Sequence, residues 1–179
     1  MKNAMLIKDK VHRDSRGMFV ETWNYKTLKE YGITDKFVQD NYSKSFQKGT
    51  LRGMHLQRPP FDQAKLIRCI NGKILDIVID IRINSPNFAK WKSFVLSSKI
   101  RKQLYIPTGF LHGFISLTNN VEILYKCSNY YSKKHEVTIK FDDPEFKIKW
   151  PLKKYILSQK DKKDAIFFKN FKNPFKYKK

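Results

Sequence analysis

The run KILDIVIDIRI, residues 73–83, constrains the fold more than any other stretch of the chain. It is dense in β-branched residues, whose stiff side chains suit a pleated strand better than a helix. Its length and flanks also favour a strand. Alternation puts Leu75, Ile77, Ile79 and Ile81 on one face and Asp76 and Asp80 on the other. Just before it, AKLIRCI (64–70) ends at Asn71-Gly72, a favoured hairpin turn. Further strands are expected at 18–23, 37–45, 91–97, 103–107, 113–117 and 121–131, with NSPN and LTNN among the turns between them. Many short strands with frequent turns make a sandwich or a barrel. A short helix is expected at 24–32, with Asn24 as N-cap and Gly32 just past its end, and a second near 159–166.

The chain has 179 residues and no internal repeat or linker, which suits one domain spanning 1–179. No apolar run reaches the roughly 18 residues a membrane span needs, and the N-terminus has no long apolar region of a signal peptide. A cytoplasmic protein without a membrane partner is expected. Cys69 and Cys127 are isolated and read as buried thiols. A net charge of +21 leaves two readings open. One is a polyanionic partner, such as nucleic acid or a phosphorylated small molecule. The other is a lysine-rich surface with a few cations reserved for a site. The lysines run along the whole chain, and residues 165–179 form a basic, aromatic tail. No helix-turn-helix, zinc-finger or RRM signature accompanies the charge, so no specific nucleic-acid partner is expected.

Parity singles out several side chains. Lys65 shares a strand face with Ile67 and Cys69, where an ammonium is costly without a partner or a cavity. It could instead snorkel from a strand end. Tyr125 shares a face with Ile123 and Cys127, which suits a structural phenol or a site. In LRGMHLQ (51–57), Arg52 and His55 have opposite parity, and only a bulge at Gly53 would turn both to one side. His112 lies beside another glycine in FLHGF. His55 is open to three readings: core histidine, metal ligand or base. Gln57 stands where an HxH pair would need its second histidine, so no metal is expected. There is no GxSxG, P-loop or GxGxxG motif.

Taken in order, DSRGMFVET, FVQDNYSKS, LRGMHLQRPPFDQAKLIRCINGKILDIVIDIR, SPNFAKW, QLYIPTGFLHGF, ILYKCSNYY, FDDPEFKIKWP and LSQKD resemble the successive motifs of the dTDP-4-dehydrorhamnose 3,5-epimerases, over residues 14 to about 161. The resemblance implies a mainly β, cupin-type jelly roll (double-stranded β-helix) with a few short helices, and a homodimer. It implies epimerisation of a nucleotide-diphosphate-linked 4-keto-6-deoxy sugar without cofactor or metal. His55 matches the general base and Asp161 its carboxylate partner. Tyr125 matches the acid on the opposite sugar face, Lys65 the lysine near the C4 oxygen, and His112 a second site histidine. Arg52, Arg16, Phe19, Glu21, Gln39 and Asn41 match positions that bind the nucleotide and diphosphate. Lys162, beside the matched aspartate, and the pair Tyr130 and Tyr131 are implied near the substrate. Tyr42, Ala64 and Trp23 depart from the family's more usual histidine, glycine and phenylalanine. A C3-only epimerase, a 3,4-ketoisomerase and an enzyme of a GDP-linked 4-keto sugar are the alternatives on the same fold.

Overall fold

The computed structural model describes residues 3–177. Two five-stranded sheets face each other. The first runs, edge to edge, β1 (Met5–Lys8), β9 (Lys102–Ile106), β6 (Lys65–Asn71), β11 (Val121–Cys127) and β4 (Gln39–Ser45). The second runs β12 (Glu136–Thr138), β5 (Leu51–Gln57), β10 (Phe110–Ser116), β7 (Lys73–Asp80) and β8 (Trp91–Ser97). β2 (Val11–Asp14) and β3 (Gly17–Val20) form a separate hairpin, and α1 (Tyr25–Glu30) and α2 (Gln159–Lys163) are single short helices. From β4 to β7, and again from β8 to β12, the chain alternates between sheets. This is a cupin-type jelly roll.

The alternation corrects one expectation. The turn at Asn71-Gly72 is tight, with Gly72 at φ +77°, but β6 and β7 do not pair. β6 lies between β9 and β11, and β7 between β10 and β8. Splitting them lets both strands turn an apolar face into the space between the sheets. Ile67 and Cys69 of β6 meet Ile74 and Val78 of β7 there, with Leu104, Ile106, Val121 and Ile123. The other face of β7 is buried too. Ile77 and Ile79 pack under the C-terminal third of the chain, against Phe146, Phe168 and Phe175. So the face of β7 that carries Asp76 and Asp80 points inward. A third cluster, with Ile33, Leu66 and Tyr105, seats α1 on the back of the first sheet.

Local signals hold well. Asn24 Oδ1 accepts from the Lys26 N–H at 2.9 Å and caps α1, and Gly32 follows the helix at φ +73°. Both cysteines are free and buried. The strand at 18–23 is shorter than expected and ends at Val20, and the strand from 121 ends at Cys127. No helix among the described residues is long and apolar enough to cross a membrane.

The bulge expected at Gly53 is present. His112 of β10 faces His55 of β5, and Phe114 faces Arg52. One residue, Gly113, therefore opposes two, Gly53 and Met54. Gly53 sits at φ +132°, and a Cβ on it would lie 2.5 Å from Gly113 Cα. Only paired glycines let the backbones approach this closely. The extra residue corrects the parity, so Arg52 and His55 open onto the same cavity.

Candidate active site

Between the sheets lies a cavity of about 510 Å³, which suits a sugar nucleotide better than a single small ion. The second sheet contributes Arg52 and His55 from β5 and His112 from β10. The first sheet contributes Lys65 from β6 and Tyr125 from β11. Asp161 enters from α2. The imidazole of His55 and the phenol of Tyr125 thus belong to opposite walls of one hollow.

His55 is held from one side. Its Nε2 lies 2.6 Å from Asp161 Oδ1. A carboxylate only accepts, so Nε2 carries the proton and Nδ1 is left as the acceptor nitrogen. Asp161 is fixed in turn by the start of α2. Ser158 Oγ accepts the Asp161 N–H at 3.0 Å and donates to Asp161 Oδ2 at 2.9 Å. Burial pushes the Asp161 carboxyl up, but the hydrogen bonds from His55 and Ser158 outweigh it and hold it below the usual range. The dyad therefore stays ionised on the aspartate side at neutral pH. The side chain of His55 is 27% exposed, open enough to meet a ligand.

A second dyad lies deeper. His112 Nε2 is 2.9 Å from Asp76 Oδ2, and the Asp76 side chain is 0% exposed. Burial pushes Asp76 up, against the pull of His112 and Lys65, and burial also pushes His112 down. Both shifts disfavour charge. Asp76 was not singled out from the sequence. The argument that flagged Lys65, a charge in an apolar strand, applies equally to Asp76 and would have found it.

The Lys65 side chain makes no hydrogen bond or ion pair among the described residues. Burial pushes its ammonium down, and Cys127, Asp76 and Glu136 oppose that. An ammonium kept in a cavity without a protein partner is ready for an acceptor on a ligand. Burial likewise pushes Tyr125 up, so the phenol keeps its proton.

The remaining expectations divide. Gln39 and Asn41 point inward along β4, on the same face as Ser43, which lines the cavity. Gln39 Nε2 donates to Asn41 Oδ1 at 3.0 Å. Tyr130 and Tyr131 are exposed near the rim and do not line the cavity; Tyr131 Oη donates to Glu136 at 2.7 Å. Lys162 points to solvent, because its place on α2 lies away from the face that carries Asp161. Lys160 lines the cavity instead and pairs with Glu136. Arg16, Phe19 and Glu21 are not at this cavity. They sit on or just after the β2–β3 hairpin, where Arg16 pairs with Asp14 and Phe19 is 70% exposed. Gln57 is a buried clamp: it donates to the carbonyls of Phe61 and Tyr130 and accepts from the Ser132 N–H. Tyr42 lies on the outer face of β4 and Trp23 stacks under Lys126, so neither departure touches the cavity.

A hollow with a carboxylate-held imidazole on one wall, and on the other a phenol and an ammonium without a side-chain partner among the described residues, can take a proton from carbon and return one elsewhere. That is the equipment of an acid–base isomerase. The model of the family described as dTDP-4-dehydrorhamnose 3,5-epimerase matches residues 1–169. An enzyme of that name from Shigella flexneri is 44% identical over 160 residues, covering 89% of this chain and 88% of that protein. The crystal structure of the Legionella pneumophila enzyme in complex with dTDP-4-keto-L-rhamnose superposes with a TM-score of 0.92 at 38% identity, covering 98% of this chain and 94% of that one. The Bacillus anthracis enzyme, solved with TDP and PPi bound, gives 0.89 at 40% identity, covering 92% and 94%. This chain belongs to the dTDP-4-dehydrorhamnose 3,5-epimerase family.

Proposed function

We propose that the chain converts dTDP-4-dehydro-6-deoxy-D-glucose to dTDP-4-dehydro-L-rhamnose by inverting C3 and C5 in turn. The observation that carries this reading is the 2.6 Å His55–Asp161 contact facing Tyr125 across the cavity. A C–H beside a ketone is acidified because its carbanion is an enolate. Its removal needs a positioned base, and His55 Nδ1 is that base. Asp161 favours the imidazolium that results. The enolate oxygen at C4 meets the ammonium of Lys65. Tyr125 then delivers a proton to the opposite face of the ring. Arg52 is directed by Ser45 Oγ and the Lys44 carbonyl, and its guanidinium offers paired donors to a phosphate.

The test is incubation with dTDP-4-keto-6-deoxyglucose in heavy water, read by proton NMR. Signals at both C3 and C5 should be replaced by deuterium as product forms. Exchange at C3 alone would mark a C3-only epimerase, and no exchange would end the reading. Tyr125→Phe should still exchange protons on the His55 face but lose inverted product by about 10²-fold or more. Unchanged product yield would remove Tyr125 as the acid.

The enzyme acts as a homodimer in this reading. β4 is a sheet edge, and Tyr42, Leu124 and Phe46 stand exposed on or beside it. The β2–β3 hairpin carries Arg16 and Phe19 away from the cavity of its own chain, so they serve the cavity of a second copy. Sedimentation should give twice the chain mass; a monomer would leave these residues without a site. Buried free thiols suit a reducing compartment, and we place the enzyme in the cytoplasm.

A further inference from the structure

The match to the family model ends at residue 169, yet the following segment is built into the molecule. Asn173 Nδ2 donates to the Ile81 carbonyl at 2.5 Å. The Ile83 N–H donates to the Phe175 carbonyl at 2.9 Å, and the Tyr177 N–H to the Ile83 carbonyl at 2.8 Å. The segment thus runs parallel to the chain just beyond β7, bridged at Ile83 and Lys176. The Asn173 side chain also accepts the Phe175 N–H at 3.0 Å, which anchors the residue that carries the ring. The guanidinium of Arg82 lies over the Tyr177 ring at 5.1 Å and the Phe110 ring at 4.5 Å, tying the segment to the start of β10.

The ring of Phe175 is the end of this insertion. The residue is 8% exposed and packs in the cluster that holds Met54, Leu56 and Leu111. Leu56 follows His55, and Leu111 precedes His112. Behind the large cavity lies a second chamber with room for about 10 Å³, the space of a single water. His55, Lys65 and His112 line both spaces, so they form the partition between them. Phe175 lines the rear chamber and not the substrate cavity. At Gly109 a Cβ would meet Arg82 Cγ at 2.5 Å and Phe175 Cδ1 at 3.5 Å, so the loop entering β10 packs directly on the segment.

We propose that Phe175, carried by residues 173–177, is a positioning residue of the active site: it closes the rear chamber behind His55, Lys65 and His112 and keeps bulk water from reaching them. The inference rests on the epimerase reading above. Its physical basis is that the pull of an ammonium on a developing enolate is strong in a dry site and weak in a wet one. Removing the ring opens the chamber from behind. The sugar carbonyl then faces a hydrated Lys65, while the nucleotide contacts at the mouth are untouched. The effect should fall on kcat and spare nucleotide binding.

The test compares wild type, Phe175→Ala and Phe175→Leu in steady-state kinetics, dTDP calorimetry and thermal melting. Phe175→Ala should lower kcat about tenfold or more. Its affinity for dTDP should stay within about twofold. Phe175→Leu, which refills the space, should recover most of the loss. Should Phe175→Ala not yield folded protein, Asn173→Ala frees the anchor and keeps the ring, and the same split is expected from it. A folded variant with wild-type kcat overturns the inference. So does a parallel loss of kcat and dTDP affinity that leucine does not rescue, since that is general loosening. An inactive wild type would sink the epimerase reading itself; an active wild type indifferent to Phe175 sinks only this inference.

Discussion

His55→Ala should stop deuterium uptake at C3 and C5 almost completely while dTDP still binds. The expected loss in kcat is about 10³–10⁴-fold, the upper part of what a general base contributes. The reason is geometric. His55 has one nitrogen engaged by Asp161 at 2.6 Å and the other free to accept. The other histidine lining the cavity among the described residues, His112, is tied to a fully buried Asp76, and burial disfavours the charge it would gain by taking a proton. It is a poor substitute. Arg52, the proposed diphosphate contact, is anchored by Ser45 and Lys44 and not by His55. Binding measured by calorimetry should therefore change by no more than about threefold. Wild-type exchange rates in this variant would remove His55 as the base.

Lys65→Met should separate activity from stability in opposite directions. Loss of a charge-stabilising donor at a developing oxyanion costs about 10²–10³-fold in kcat. The same change removes an ammonium that the fold holds without a hydrogen bond or ion pair among the described residues. Burial depresses the Lys65 pKa in the folded state. A group so depressed destabilises the fold in full at pH below the folded value, and the cost fades between the folded and the unfolded values, vanishing above the latter. At neutral pH the cost is present, and methionine removes it. Melting temperature should therefore stay level or rise while kcat falls, the trade expected of a site kept at some expense to stability. A lower melting temperature with kcat intact would show Lys65 to be structural.

Much of the local architecture was readable residue by residue. The β-branched run of β7, the cap at Asn24 and the left-handed glycine after α1 depend on neighbours in the chain. The bulge at Gly53 was legible for a sharper reason. Arg52 and His55 could not both face a site on a regular strand, and glycine was the residue able to shift them. Lys65 and Tyr125 were visible as polar groups on apolar faces, and both do line the cavity. Asp76 is equally polar on a β-branched strand, but alternation alone does not tell that its face of β7 points inward.

Other features were legible only through resemblance, or not at all. Asp161 lies 106 residues from His55, and no spacing rule links them. Arg16, Phe19 and Glu21 match binding positions by motif, yet the hairpin that bears them leaves its own cavity. The neighbouring lysines of α2 exchange roles, with Lys160 at the site and Lys162 in solvent, because a short helix turns only one face inward. The basic, aromatic character of the tail said nothing of Phe175 entering the core.

The amino-acid sequence by itself determined where most of the longer strands run and which side chains share a face, because these follow from dihedral preferences and a two-residue period; the short strands β1, β2 and β12 carry no such signal. Tertiary structure alone decided which sheet each strand joins, that β6 and β7 part at their turn, that Asp76 meets His112, and that Phe175 of the tail packs into the core. Those outcomes depend on apolar faces from distant parts of the chain finding one another, and burial, unlike alternation, is a property of the whole packed molecule.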